Sequence, residues 1–445
     1  MPMETRKGIV WFRSDLRLHD NEALTESLLH CREVIPAYVF DSRVFAGTTT
    51  LGGFPKTGQF RLQFILESVA DLRDSLRKKG SELIIRIGKP EEEIFKIAQA
   101  HKTSWVFCNR ERTSEEVKVQ DELEKKLWSI GQEMRYSRGK LLYYTSDLPF
   151  PINQTPEVFT QFRKEVERVV PVRPPFAVPD QLPPIDQGID PGDLPQPATF
   201  SMELPRPDKR AALVFKGGET EGLKRLKYYL WESDLAQTYF DTRNGLLGGD
   251  YSTKFSPWLA QGCLSPKHVY HELKRYELER GENKSTYWIF FELLWRDYFR
   301  LMAKKHGNAI FTKGGMRGTE DRRLSDDLDR LQQWIDGKTS VPFIDANMRE
   351  LACTGFMSNR GRQNVASYLV HDLRVNWQLG AEYFESLLID YDVASNWCNW
   401  NYVAGVGNDP REDRYFNPKT QASRYDPQGD YVRHWLTDKR DRVMI

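Results

Sequence analysis

A chain of 445 residues exceeds what one hydrophobic core usually organises, and 40% apolar with 29% charged residues is the composition of a water-soluble globular protein of two domains. No apolar run approaches the length of a membrane-spanning helix, which excludes a helical membrane protein. Lys+Arg 64 against Asp+Glu 63 gives a net charge of +1, so contact with nucleic acid has to rest on a local basic patch rather than on bulk charge.

The opening MPMETRKGIVWF sets charged residues directly against a short apolar run that meets Arg13 and Asp15 at once. A secretory signal needs a longer apolar stretch, and a cytoplasmic protein is expected. GIVWFR (8–13), EVIPAYVF (33–40), ELIIRIG (82–88) and SWVFCN (104–109) read as buried strands, with helical spacing of apolar residues over 59–79, 90–101 and 113–130. Strand-helix alternation implies a parallel sheet covered on both faces. No G-x-G-x-x-G or P-loop follows the first strand, so the common dinucleotide and nucleotide fingerprints are absent. Prolines then crowd 148–210, where they block helix interiors and central strands. This stretch is expected to be a long ordered linker, with a helix over 158–170. After 211 the pattern is helical, at 219–234, 265–280, 284–306, 326–337, 343–354, 362–375 and 379–389. The division expected is an α/β unit over 1–140, a linker over 141–210 and an all-α unit over 211–445. The five cysteines, Cys31, Cys108, Cys263, Cys353 and Cys398, form no CxxC pair, which argues against structural zinc and for a reducing compartment.

The densest chemistry lies in TGFMSNRGRQ (354–363), Trp377 and DYDVASNWCNWNY (390–402). Asn359, Arg360, Arg362, Asp390, Asp392 and Asn396 alternate there with Trp377, Trp397, Trp400 and Tyr402. Amides, guanidinium groups and carboxylates among large aromatics suit a polar, planar redox ring in a mostly apolar pocket, and no nucleophile–base pair stands out for hydrolysis. Asp390 and Asp392 are expected to end a helix, and their surroundings lack the ligands of a metal site. On the 285–307 segment Glu292, Trp295, Arg296 and Phe299 share one helix face. They are either a Glu–Arg pair beside a core Trp or a carboxyl and an aromatic plane offered to a flat ligand. Ser252, Thr253 and Ser256 around Lys254 make either an ordinary helix cap or an anion nest fit for a pyrophosphate.

WFRSDLRLHDNEAL (11–24), TRNGLLGGDYSTKFSPWLAQGCLSP, TYWIFFELLWRDYFR, PFIDANMRELACTGFMSNRGRQNVASYLV and LIDYDVASNWCNWNYVAGVGNDPREDRYFNP resemble the photolyase/cryptochrome family, and within it the cryptochrome-DASH branch. The resemblance spans nearly the whole chain. It implies an α/β N-terminal domain with a parallel five-stranded Rossmann-like sheet, joined by a long linker to an all-α domain that holds FAD folded into a U. By motif position, Tyr239, Ser252, Thr253, Lys254, Phe255 and Ser256 are similar to the segment around phosphates and ribose. Glu292, Arg296, Asn359, Arg362, Asp390, Asp392 and Asn396 are similar to the residues around adenine and isoalloxazine, with Arg362 and Asp390 paired and Asn396 facing flavin N5.

The implied activity is blue-light repair of cyclobutane pyrimidine dimers by electron transfer from reduced FAD. A light receptor that regulates through partners is the alternative. Glu292 would donate to a pyrimidine carbonyl and Trp295 would stack on the lesion. Arg360 and Arg414 would meet phosphates. Gln363 and Tyr402 stand where duplex photolyases usually carry Met and Trp, which implies dimers in single-stranded or locally unwound DNA as the main substrate, with RNA a further ligand class. Trp400 and Trp377 match the inner two members of the family's tryptophan wire, and the outer position counts back to Leu324. Glu111 matches the acidic residue that holds a methenyltetrahydrofolate antenna. The chain is expected to act as a monomer, without a metal.

Overall fold

In the computed structural model the residues described are 6–321, 323–408 and 414–437. The apolar runs form β1 (Lys7–Phe12), β2 (Glu33–Asp41), β3 (Ile84–Gly88) and β4 (Trp105–Asn109), and β5 (Glu133–Ser137) completes a parallel sheet of order β3-β2-β1-β4-β5. Alternate residues serve two layers. Ile9, Trp11, Ile35 and Val106 pack with Ile94 and Leu123 of the Pro90–His101 and Ser114–Ser129 helices. Val10, Phe12, Val34 and Phe40 pack on the other side with Leu24 and Leu62 of the Glu22–His30 and Gln59–Lys78 helices. That second layer is continuous with the core of the helical half, so the two halves share one apolar interior.

Polar clamps fix the junction. Arg17 donates from Nη1 to the carbonyl of Gly262 at 2.8 Å, and the Leu18 and His19 amides donate to the Glu219 carboxylate at 2.8 and 2.9 Å. The amides of Leu142 and Tyr143 both donate to Asp297 on the Lys284–His306 helix at 3.0 Å. The proline-rich stretch is ordered because its backbone is tied down. Asp20 N donates to Phe176 O, Leu182 N to Lys79 O and Ile85 N to Pro191 O, at 2.8–2.9 Å. Its helix, Phe159–Val169, buries Phe159, Phe162 and Val166.

Lys284–His306 is the central helix of the second half, opened by a capping box between Asn283 and Thr286. Two expected helices are shorter than their pattern: Glu219–Lys227 continues as a π-helical turn over Tyr228–Glu232, and Asn359–Ser367 as one over Tyr368–Asp372. The expectation that Asp390 and Asp392 end a helix is corrected. Helix Trp377–Leu387 stops before them, and Asp392 is the N-cap of a further helix, Val393–Val403, accepting from Ser395 N at 2.9 Å. Of the motif ending in DRYFNP, residues 409–413 lie outside the described residues.

Candidate functional site

Two cavities flank the Val393–Val403 helix. The first, of about 550 Å³, lies within the helical half. It gathers Tyr239 from the short helix Tyr239–Thr242, Thr253, Phe255 and Ser256 from the stretch leading into the next helix, Glu292, Trp295 and Arg296 from the central helix, and Asn359, Arg360, Arg362 and Gln363 from the Asn359–Ser367 helix. Asp390, Asp392, Tyr402 and Arg414 close it. Segments far apart in the chain thus converge on one cavity.

The 252–256 loop is held from behind by Arg225, which spacing alone did not reveal. Its guanidinium donates to the carbonyls of Thr253 at 3.0 Å, Ser252 at 3.2 Å and Gly249 at 2.9 Å. With those carbonyls engaged, Thr253, Phe255 and Ser256 are turned to the cavity. Lys254 sits at positive φ (59°) and is directed away from it, with Nζ 3.5 Å from the Tyr251 ring centroid and 4.6 Å from that of Phe356. Burial pushes its ammonium down to about 7, against the pull of Glu350. Neither Lys254 nor Ser252 lines the cavity, so Ser252 meets the site through the carbonyl that Arg225 grips.

Asp390 Oδ2 accepts from Arg362 Nη2 at 2.8 Å and from Ser256 Oγ at 2.6 Å, which is the ion pair expected from the motif. Asp392 is gripped by Arg300. Burial alone would raise the Asp392 carboxyl, but Arg300 and Arg296 outweigh it and hold it below the ordinary range. The Glu292–Arg296 pair considered from spacing does not form. Arg296 donates instead to the carbonyls of Lys140 at 2.7 Å and Leu259 at 3.1 Å, and Arg243 meets Glu292 at 3.1 Å. The Glu292 side chain is 37% exposed, and that exposure is to the cavity. Burial raises its carboxyl above the ordinary range, partly opposed by Arg243. Trp295 is stacked on Phe159, centroids 3.7 Å apart and planes at 13°, which fixes one face of the indole. Tyr402 stands edge-on to Trp295 at 6.2 Å under the Arg414 guanidinium, 4.3 Å from its ring centroid. Arg360 bridges Gln363 at 2.9 Å and Asn244 at 2.8 Å, and Asn359 is exposed at the start of its helix.

Several buried polar atoms have no partner among the described residues. Asp390 Oδ1 and Asn396 Oδ1 are acceptors of this kind, and Arg243 Nε and Arg360 Nε are donors. Asn396 Nδ2 donates to Ala381 O at 3.0 Å, which fixes its oxygen as the free end. Asp390, Arg243 and Arg360 line the cavity, whereas Asn396 lies behind its wall; leaving such lining groups unmet costs about 1–3 kcal/mol each, so a ligand with both donors and acceptors fits the cavity. FAD has that character.

Beyond Asn396 the packing is aromatic. Trp400 and Trp377 are 2% and 0% exposed. Trp400 lies 6.4 Å from Trp334, and Trp377 lies 5.8 Å from Trp397. Leu324, at the outer position, is buried and aliphatic.

The second cavity, about 870 Å³, opens at the carboxyl ends of β1 and β4, where the strand order reverses, and its far wall is helical. Glu111 lines it, paired with Lys140. Around it Arg112 is pushed down to about 10 by burial and by the crowding of Arg110, Arg138 and Arg300.

Comparison with known proteins gives two family matches: the FAD binding domain of DNA photolyase over residues 288–442, and DNA photolyase over residues 8–180. A cryptochrome DASH of Gloeobacter violaceus is 52% identical over 98% of this chain and 86% of its own length, and one of Xenopus laevis is 49% identical over 98% and 84%. Among solved structures, the Synechocystis sp. PCC6803 cryptochrome superposes with a TM-score of 0.94 at 48% identity, covering 98% of this chain and 90% of that one. An archaeal photolyase from Sulfolobus tokodaii with two FAD molecules gives 0.80 at 28% identity, covering 98% and 91%. With its parallel five-stranded domain, its helical FAD-binding domain and these relatives along almost its whole length, the chain belongs to the photolyase/cryptochrome family, in the cryptochrome-DASH branch.

Proposed function

We propose that the protein repairs cyclobutane pyrimidine dimers under blue light, mainly in single-stranded DNA. The observation that carries this is the pairing of a raised carboxyl, Glu292, open only to the cavity, with the fixed indole plane of Trp295 on one wall of the flavin cavity. A neutral carboxyl donates a hydrogen bond to a pyrimidine carbonyl, and an indole locked on one side by Phe159 offers its other surface as a stacking platform. Reduced FAD supplies the electron that opens the dimer.

The remaining roles belong to the chain. Thr253, Phe255 and Ser256 wrap the pyrophosphate on a loop that Arg225 stiffens. Arg362 and Asp390 neutralise each other beside the ring, and Asn396 presents a free carbonyl oxygen toward a ring N–H. Tyr239, Arg296, Asn359 and Asp392 complete the flavin shell, while Ser252 and Lys254 act through the loop's conformation. Arg360 and Arg414 hold phosphates at the mouth and supply the local basic patch. Gln363 and Tyr402 give the pocket less stacking area than a second indole would. Extrusion from a duplex then loses about 1–3 kcal/mol per missing base–aromatic contact, whereas a single strand has less stacking to surrender.

The interdomain cavity suits an anionic antenna chromophore. Glu111 accepts from a pterin N–H, and the crowded Arg110, Arg112 and Arg138 suit the carboxylates of methenyltetrahydrofolate. A second FAD, like that in the Sulfolobus protein, is the alternative occupant. Extraction and chromatography of the bound chromophores tells them apart.

The test is illumination of protein with dithionite-reduced flavin and a thymine-dimer oligonucleotide, single-stranded and duplex. Restored thymine, faster on the single strand, is expected. Equal rates on both substrates refute the strand preference. Binding without restoration refutes repair and favours a light receptor.

A further inference from the structure

Trp288 lines the flavin cavity one helical turn before Glu292. Its indole is fixed on two sides. Phe291 is stacked on it, centroids 4.5 Å apart and planes at 27°, and the Phe240 ring meets it edge to face at 4.8 Å. The Phe240 amide in turn donates to Ser285 Oγ at 3.0 Å, which ties the segment carrying Arg243 to the central helix. Arg243 lies over the indole, its guanidinium carbon 5.0 Å from the ring centroid, and reaches Glu292 Oε1 with Nη1 at 3.1 Å.

That one bond is a weak hold on a long side chain. Arg243 Nε has no partner among the described residues. Arg360, donating to the adjacent Asn244 at 2.8 Å, also sets a second cation beside it. The indole supplies what the bond lacks, because its negative face attracts a guanidinium and restricts where it swings. We infer that Trp288 is a positioning residue that holds Arg243 against Glu292 and so governs whether that carboxyl can donate to a substrate. The inference rests on the donor role proposed above for Glu292.

The other charged groups nearby are engaged elsewhere. Arg296 is turned to the carbonyls of Lys140 and Leu259, and Lys284 Nζ lies 3.5 Å from the centroid of the Phe240 ring. Tyr239 stands near the carboxyl with a phenol that burial holds neutral. Arg243 is therefore the cation set against the burial that raises Glu292. Loosening Arg243 removes that opposition, and the carboxyl keeps its proton to higher pH. Loosening the packing alone does the reverse, since water admitted beside a carboxyl favours its charged form. A clamp and a mere filler thus give Trp288 variants shifts of opposite sign.

Infrared titration of the oxidised holoprotein tests this, reading the carboxylic-acid band that Glu292→Gln lacks. No substrate is present, so the outcome does not depend on repair. Trp288→Leu, which has no aromatic face, should move the loss of that band to higher pH by about half to one unit. Trp288→Phe keeps a ring for Arg243 and should stay near the parent. In an Arg243→Gln background the cation is already gone, and Trp288→Leu should add no upward shift. If the Leu variant releases its flavin, Trp288→Met carries the same test. An unchanged or lowered midpoint in Trp288→Leu overturns the inference, as does an equal rise with and without Arg243. The expected shifts in a protein that restores no thymine would leave the clamp standing and overturn the donor role.

Discussion

Replacing Glu292 probes the repair chemistry at the atom that matters. In the proposed role its neutral carboxyl donates to the pyrimidine, and Ala removes that donor while leaving Arg243 without its partner. A lost hydrogen bond in a buried site costs about 1–3 kcal/mol. At about 1.4 kcal/mol per tenfold, Glu292→Ala should slow repair roughly 5- to 150-fold. Glu292→Gln keeps an N–H donor for the substrate and a carbonyl for Arg243, so it should lose much less. The pH dependence separates the two roles further. Burial raises the Glu292 carboxyl, so the parent's donor is present at low pH and is lost as pH rises through that raised value. The Gln variant, which cannot titrate, should lack this alkaline fall. Stability follows the same sign: a raised carboxyl weakens the fold as pH rises above its unfolded value, so the Gln variant should be no less stable than the parent at pH 8, the gap closing on acidification. The assay is the repair rate on a single-stranded thymine-dimer oligonucleotide with dithionite-reduced flavin, from acid to alkaline pH. An Ala variant as fast as the parent, or a Gln variant with the parent's pH profile, would refute the role given to this carboxyl.

Three other outcomes are expected. Asp390→Asn keeps the bonds to Arg362 and Ser256 but removes the charge that balances the guanidinium, and should weaken flavin retention by about 1.5–3 kcal/mol, read as lost 450-nm-region absorbance on dialysis. Gly380→Ala places a Cβ against the six-membered edge of Trp400 and should destabilise the helical half by about 1–3 kcal/mol in denaturant melts. Asp208, held down to about 2 by Arg210, stabilises the fold above its ordinary value of 3.8 and loses that contribution as pH falls through 2. Asp208→Asn should therefore destabilise the fold at pH 7, by roughly 1 kcal/mol once solvent screening of this pair is allowed for, with the gap closing as pH falls below about 2.

Strands β1, β2 and β4 were legible because strands buried on both faces are written as unbroken apolar runs, and β3, though it lies at the other edge, keeps the apolar run ELII before and into it. β5, EMRYS, was not, since an edge strand paired on one side carries polar residues at alternate positions. The central helix was found from its periodicity, at the bounds the structure gives. Val393–Val403 escaped because it lies between two cavities and is buried on several sides, so VASNWCNWNYV shows no single apolar stripe, and Asn and Trp are indifferent helix formers. Arg225 and Arg243 were invisible for another reason: an arginine's partner is chosen by where the chain returns, and theirs lie 24–28 and 49 residues away.

The linear order of residues settled the family, the parallel sheet, the helical flavin domain and most of the side chains around one cavity, because those are carried by local pattern and by motifs read as strings. Tertiary structure alone decided that Glu292 answers to Arg243, that Lys254 turns its back on the site, and that Trp377 meets Trp397. Such pairings depend on which surfaces meet when helices pack, and spacing along the backbone does not encode that.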